Sequence, residues 1–299
     1  MPDHVSLFHI PPNLKKPLLC VITGPTAVGK TDLTLDLAQR HGAPVISADS
    51  RQFYKEMSIG TAKPSLSELR QIPHYFLGHL SVKDYYSVSR FEQDVLKILP
   101  DLFSQSPMVI LSGGSGLYID AVCYGIDDLP DPDPEIRLHV MTIYETGGIE
   151  ELRRQIKMMD PVFYQNADMA NPKRLIRALE VCLQTGNPYS AYLKSETKER
   201  QFDILKFCLL RPREELFGRI NARVDSMMEK GLLNEVKALE PFRKYNALNT
   251  VGYKELFDYL DGNISLDMAV EQIKTHTRRY AKRQMTWFKR KNDYIEVVL

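Results

Sequence analysis

The segment Gly24-Pro25-Thr26-Ala27-Val28-Gly29-Lys30-Thr31 constrains this chain more than any other feature of it. It follows five consecutive apolar residues, Leu18 to Ile22, which read as a buried strand of a parallel sheet. It precedes a helix expected over roughly Gly29 to Arg40, with Leu33 and Leu37 on one face and Gly42 as its stop. A loop with two glycines that ends in Lys-Thr, set between strand and helix, is a phosphate-binding loop. Its glycines let the backbone curl so that successive N–H groups converge on an anion at the positive end of the helix. Lys30 adds a point charge, and the Thr31 hydroxyl is suited to hold Mg²⁺. The loop does not say which phosphate it takes, because a nucleoside triphosphate and any other diphosphate present the same oxygens.

The alternation continues along the chain. Strands are expected over Pro44 to Ala48, Met108 to Leu111 and Ile204 to Leu210, with a helix from about Ser89 to Phe103 and a mixed segment before it. This pattern predicts an α/β fold: a P-loop NTPase-like parallel sheet core flanked by helices, with an inserted helical domain. The insertion is expected over 124–200, splitting the core into a first part, 1–123, and a second part, 201–299. It opens with an acidic, proline-punctuated stretch, Asp127 to Glu135, and holds one well-marked helix, capped by Asn171, begun by Pro172 and stopped by Gly186 and Pro188. Ser265 caps a long helix to about Arg290, and Tyr294 to Leu299 can add an edge strand.

The 299 residues suffice for about two domains, and 43% apolar with 26% charged residues is the balance of a globular protein. Cys20, Cys123, Cys182 and Cys208 lie far apart, without zinc-ligand spacing, and read as small buried apolar residues. No apolar run approaches a membrane span, and the first sixteen residues lack the apolar stretch of a signal peptide. A reduced, cytoplasmic protein is expected.

An ordinary ATPase ends a hydrophobic strand near the loop with a metal-holding aspartate. Here the strand from Met108 runs into Ser112-Gly113-Gly114-Ser115-Gly116, which has no carboxylate and reads either as a tight turn or as a place where a ligand nears the backbone. The nearest carboxylate is Asp49, at the end of the second strand and next to the phosphate loop, facing the crevice where open α/β sheets bind ligands. It could hold a metal, accept a proton from a nucleophile, or cap the turn that follows.

A formal net charge of +1 argues against bulk-charge binding of nucleic acid. The distribution argues the other way. Between Lys274 and Lys291 lie eight Lys or Arg and no Asp or Glu, so this segment carries +8 and the rest of the chain −7. At helical spacing Ile273, Tyr280, Ala281, Gln284, Trp287 and Phe288 form an apolar stripe expected in the core, opposite Arg278, Arg279, Lys282, Arg283 and Lys289. Lys173, Arg174 and Arg177 sit near a helix N-terminus, where cations oppose the macrodipole, and so look placed for a phosphate backbone. Arg211, Arg213, Arg219 and Arg223 follow the Ile204 strand; Arg219 and Arg223 share a helix face and could aim at one anion, or pair with nearby carboxylates such as Asp225.

These residues converge on a family. The stretches GPTAVGKT (24–31), ISADSRQFYKEMSIGTAKP (46–64), PHYFLGH (73–79), YSVSRFEQD (86–94), SGGSGLYI (112–119), NPKRLIRALEV (171–181), TGNPYS (185–190), RINARVDSMMEKGLLNEV (219–236), VGYKE (251–255) and TRRYAKRQMTWFKR (277–290) closely resemble the tRNA dimethylallyltransferases. The match covers nearly the whole chain in order. Departures are Val28 for the usual Ser, which removes a hydroxyl expected near the phosphates, Ser115 for the usual Thr, and Tyr75 for the usual second His after Pro73.

The resemblance implies that Gly24, Pro25, Thr26, Ala27, Val28, Gly29, Lys30 and Thr31 hold the diphosphate of dimethylallyl diphosphate as co-substrate, with Mg²⁺ on Thr31. It implies that an adenine flips out of the tRNA anticodon stem-loop into a channel through the core, and that Asp49 takes the proton as adenine N6 attacks the allylic carbon. Lys30, Thr31 and Arg219 or Arg223 would then steady the departing diphosphate. Ser50, Arg51, Gln52 and Ser115 match positions that touch tRNA near the target base, and Lys173, Arg174 and Arg177 match the inserted lobe's tRNA contacts. The exposed basic face, with Arg279 and Lys282, is expected to meet tRNA phosphates, and the chain is expected to act as a monomer. Two other readings remain open on the residues alone. A phosphate-loop kinase would leave the +8 helix idle, and a nucleotide-switched RNA-binding protein would give Asp49 no role.

Overall fold

The computed structural model describes residues 8, 10, 11, 15–194 and 196–299, so most of the first sixteen residues, read above for a signal segment, lie outside it. In chain order the elements are β1 (Leu18–Thr23), α1 (Lys30–His41), β2 (Val45–Ser47), α2 (Leu66–Leu69), β3 (His74–Tyr75), α3 (Val88–Gln105), β4 (Met108–Gly113) and α4 (Gly116–Tyr124). There follow α5 (Pro134–Met159), α6 (Pro161–Asn166) and α7 (Pro172–Thr185). The chain closes with β5 (Asp203–Leu210), α8 (Arg213–Glu229), α9 (Leu232–Leu239), α10 (Tyr253–Leu260), α11 (Leu266–Phe288) and β6 (Ile295–Val298). These divide into two compact units: residues up to 86 with 91–123 and 199–299, and residues 87–90 with 124–198. The second unit therefore takes in 87–90 at the start of α3 as well as most of the 124–200 segment.

Among the described residues of the first unit, six strands form one parallel sheet in the order β3-β2-β4-β1-β5-β6. Every residue of β1 is buried, which explains its unbroken apolar run: both faces of a central parallel strand must be covered. Cys20 and Ile22 pack with Leu33 and Leu37 of α1 and Leu216 and Ile220 of α8, while Leu19 and Val21 are buried on the opposite face. Fully burying such aliphatic side chains contributes roughly 1.5–3 kcal/mol each before chain entropy is counted. Register then sets the site. Thr23 pairs with Gly113 and with Cys208, and Ser47 pairs with Ser112, so β1, β2, β4 and β5 deliver their carboxyl ends to one edge.

The helix ends follow their local chemistry. Gly29 (φ 111) opens α1 and Gly42 (φ 59) closes it, both in the left-handed region that glycine adopts without a Cβ penalty. Asn171 Oδ1 accepts from Arg174 N–H at the start of α7, and Ser265 Oγ accepts from Met268 N–H at the start of α11. All four cysteines are buried free thiols, and burial pushes Cys20 and Cys123 up to about 12 and Cys208 to about 11. Among the described residues, no helix is long and apolar enough to cross a membrane.

The second unit has its own apolar core, with Val140, Leu152 and Ile156 of α5 against Phe163 of α6 and Leu175 and Leu179 of α7. Gly148 (φ 65) breaks α5 into two helical runs. Two carboxylates are buried within the unit and each is satisfied. Asp160 accepts from the N–H groups of Phe163 and Ser190 and from the Ser190 hydroxyl, and Glu180 pairs with Arg137 and Arg177.

Candidate active site

The carboxyl edge of the sheet frames a cavity of about 470 Å³ within the first unit. Of the residues expected there, Thr26, Ala27, Gly29, Lys30, Thr31, Asp49, Gln52, Arg219 and Arg223 line it. Gly24 can only be glycine: its φ is +145, and a Cβ would stand 2.6 Å from the Leu209 carbonyl oxygen. Val28 turns away from the cavity. It is fully buried in the core with Leu33 and Leu216, so its side chain packs the interior and does not line the cavity.

Lys30 donates from Nζ to the carbonyls of Gly24 and Pro25, at 3.0 and 2.9 Å. Burial pulls its ammonium down to about 8; Asp49 opposes that shift and Arg223 adds to it. Arg223 is likewise held below its ordinary value by burial, against the pull of Asp49. Arg219 Nε donates to the Ala27 carbonyl and Arg211 Nε to the Val28 carbonyl, each at 2.8 Å, so α8 and the end of β5 hold the phosphate loop from outside. Desolvated cations around one opening form an anion site that gains when a polyanion enters.

Asp49 stands just past the end of β2 and lines the cavity; β4 lies between β1 and β2, so the shared carboxyl edge of the sheet, not strand adjacency, brings it beside the phosphate loop. Its Oδ1 accepts from Arg51 N–H at 3.0 Å, so the turn-capping and cavity-facing readings both hold. The glycines after β4 serve close packing. A Cβ on Gly113 would stand 2.3 Å from the Ala48 backbone, and one on Gly116 would stand 2.2 Å from the Trp287 ring. Ser115 Oγ bridges to Ser50, accepting from its N–H at 3.0 Å and donating to its hydroxyl at 3.1 Å. Arg51 donates to the carbonyls of Asn246 and Ala247, and the Gln52 amide bonds Ser47, Thr61 and Ala62, so these two residues are anchored within the protein.

Two residues of α11 correct the expected apolar stripe. Tyr280 is not core: it is 37% exposed and lines the cavity, where burial of its hydroxyl end and the Asp49 carboxylate push the phenol above its usual range. Gln284 is buried, but its amide bonds the phosphate loop and the β4 loop. Ile273, Ala281 and Phe288 are core as expected, and Trp287 Nε1 donates to Asp120. On the basic side, Arg279, Lys282, Arg283 and Lys289 are exposed, whereas Arg278 is tied to Asn221 and Lys274 to Asp225. A further clamp carries no spacing or composition signal, although its residues fall within the family-like stretches. Glu235 of α9 accepts from the N–H groups of Ser58, Ile59 and Gly60 and from the Tyr253 hydroxyl, fixing the segment that continues from Asp49.

The cations expected in the inserted lobe divide. Arg177 pairs with the buried Glu180 and donates to the Pro130 carbonyl, so it takes part in the lobe's own structure. Lys173 and Arg174 are exposed, the latter with its guanidinium over the Phe163 ring. As for a metal, the Thr31 hydroxyl and the Asp32 and Asp49 carboxylates line the cavity, all of them hard oxygen donors. Among the described residues no three His, Cys, Asp or Glu form a cage. Few protein oxygens plus substrate phosphates is the setting that suits Mg²⁺, so the donor set fits it.

A parallel sheet with a phosphate loop on its central strand and a carboxylate among desolvated cations defines a phosphate-loop α/β protein. A family model described as IPP transferase matches residues 52–291, and the chain belongs to that family. It is 50% identical over 277 residues to tRNA dimethylallyltransferase 1 of Bacteroides thetaiotaomicron, covering 93% of this chain and 90% of the relative. It is 52% identical over 272 residues to tRNA dimethylallyltransferase 2 of Parabacteroides distasonis, covering 91% of each. Among solved structures it is similar to a tRNA delta(2)-isopentenylpyrophosphate transferase from Staphylococcus epidermidis, with a TM-score of 0.68, 35% identity, and coverage of 95% of this chain and 93% of that one. It is also similar to a eukaryotic dimethylallyltransferase acting on tRNA, with a TM-score of 0.79, 28% identity, and coverage of 94% of this chain and 73% of that one.

Proposed function

We infer that this chain transfers a dimethylallyl group from dimethylallyl diphosphate to N6 of the adenosine adjacent to the anticodon in tRNA, giving N6-isopentenyladenosine and diphosphate. The observation that carries the reading is the composition of one cavity. It places Lys30, Arg219 and Arg223 with Asp49, and the β4 end beside it has no metal-holding carboxylate. That combination suits a diphosphate leaving group, with cations to meet its growing charge and a carboxylate to take a proton.

In the reaction the adenine N6 forms a bond to the allylic carbon, the bond from that carbon to the diphosphate oxygen breaks, and the N6 proton passes to Asp49. Lys30, Arg219 and Arg223 hold the diphosphate as it takes up the negative charge of the broken bond. Thr31 would hold Mg²⁺, which when bound supplies charge neutralisation at the diphosphate oxygens. Tyr280 lines the cavity, and its protonated hydroxyl puts no charge there. The tRNA backbone meets exposed cations: Arg279 and Lys282 of α11 and, in the lobe, Lys173 and Arg174. The enzyme works in the cytoplasm as a monomer.

Unmodified tRNA incubated with prenyl-labelled dimethylallyl diphosphate is expected to take up label, with one diphosphate released per label. Consumption of ATP with no label on tRNA would instead favour a kinase. Neutralising Arg279 and Lys282 to glutamine is expected to flatten the dependence of log tRNA affinity on log salt by about one to two, at roughly one ion per phosphate contact. A slope equal to wild type would reduce that face to a solvated surface.

A further inference from the structure

Gln284 comes from a helix far from the phosphate loop in sequence, yet both ends of its amide are committed at the carboxyl edge of the sheet. Its Oε1 accepts from Thr26 N–H at 2.8 Å, and its Nε2 donates to the Gly114 carbonyl at 2.9 Å. One partner is a donor and the other an acceptor, so a single orientation of the amide satisfies both. The residue is 6% exposed, and a Cβ on Gly114 would stand 2.3 Å from its Nε2, so the glycine there leaves room for this side chain. The end of β4, where an ATPase carries a carboxylate, thus meets a neutral amide that spans two loops.

We propose that Gln284 is a positioning residue for the diphosphate. Its amide holds Thr26 N–H and so fixes the curl of the phosphate loop, ties that loop to the β4 loop, and keeps this wall of the cavity free of negative charge. The proposal rests on the reading of the loop as a diphosphate site. Methionine in its place keeps the length and apolar stem but removes both hydrogen bonds. Glutamate keeps the acceptor for Thr26, loses the donor for Gly114 and adds a charge that repels the ligand.

The test measures binding of inorganic diphosphate and of unmodified tRNA, separately, to wild type, Gln284→Met and Gln284→Glu, with thermal unfolding of each protein. Gln284→Met is expected to weaken diphosphate binding about tenfold, the scale of one or two lost hydrogen bonds. Gln284→Glu is expected to weaken it on the order of a hundredfold, because a like charge in a partly desolvated cavity adds to that loss. tRNA affinity stays at the wild-type level in both. The KM for dimethylallyl diphosphate rises in the same ratio as the diphosphate dissociation constant, while kcat at saturation changes far less. Folded variants that bind diphosphate as wild type does would overturn the proposal. So would a parallel loss of tRNA affinity, or failure of both variants to fold, either of which makes Gln284 a structural residue. If wild type itself does not bind inorganic diphosphate, the reading of the loop fails first.

Discussion

Asp49→Asn is expected to lower the rate of prenyl transfer about a thousandfold, within the range that a positioned proton acceptor contributes. Asparagine keeps the Oδ1 acceptor that Arg51 N–H uses, so the turn after β2 persists and the loss is chemical. The charge change makes a second expectation with a definite sign. Asp49 is the negative neighbour of both Lys30 and Arg223, so removing its charge leaves the cavity more positive toward an anion. Diphosphate affinity should therefore hold or rise while turnover collapses, and tRNA affinity should stay level. Rates of transfer at saturating donor and tRNA, alongside separate binding of each ligand, check this. Equal loss of turnover and of tRNA binding would make Asp49 a structural residue.

Lys30→Met should sharply lower kcat/KM for the diphosphate substrate while raising the stability of the ligand-free protein. The ammonium is a desolvated point charge at the mouth of the loop, and removing such a donor from developing negative charge costs on the order of a hundredfold to a thousandfold in kcat/KM. Its stability effect runs the other way. The folded pKa of about 8 lies below the ordinary 10.5, so in the fold the charged form is disfavoured. Below pH 8 the protonated lysine therefore destabilises the ligand-free protein, and that penalty fades as pH rises from 8 toward 10.5. Methionine removes it but also takes a donor from the Gly24 and Pro25 carbonyls, leaving a net gain of about 1 kcal/mol. Thermal unfolding of both proteins is expected to show a higher Tm for Lys30→Met at pH 7 and a difference that shrinks by pH 10. A Lys30→Met protein less stable than wild type at pH 7 would mean that the lysine supports the fold even without ligand.

The parts of the molecule legible from its residues are those governed by local rules. The run Leu18 to Ile22 names a central strand because only a strand covered on both faces tolerates it, and the loop that follows names its ligand class by glycine spacing and the Lys-Thr pair. Asn171, Gly186 and Ser265 fix helix ends within a residue because their side chains or backbone angles satisfy orphan groups of the same helix. What was not legible depends on approach across the chain. Tyr280 fits the apolar period of α11, but that helix borders a cavity as well as the core, and period alone does not tell one apolar border from another. Gln284 stood in the same stripe, and its polarity was the one available signal, since a buried amide must find a donor and an acceptor. Arg177 looked poorly placed at a helix start; its partner Glu180, one turn on, is buried by packing that no spacing rule reveals. The place of Asp49 at a strand end facing the crevice was legible, but the insertion of β4 between its strand and β1 was not, because strand order is a property of the sheet.

The central claim is that one cavity takes a diphosphate ester and passes its prenyl group to an adenine amine. The most direct measurement is the mass of the nucleosides released from tRNA after incubation with the wild-type chain, dimethylallyl diphosphate and Mg²⁺. One adenosine per tRNA, next to the anticodon, should gain the mass of one five-carbon prenyl group less the hydrogen it replaces, with fragmentation placing the gain on the base. Unchanged nucleosides, or a gain on a phosphate or ribose, would contradict it.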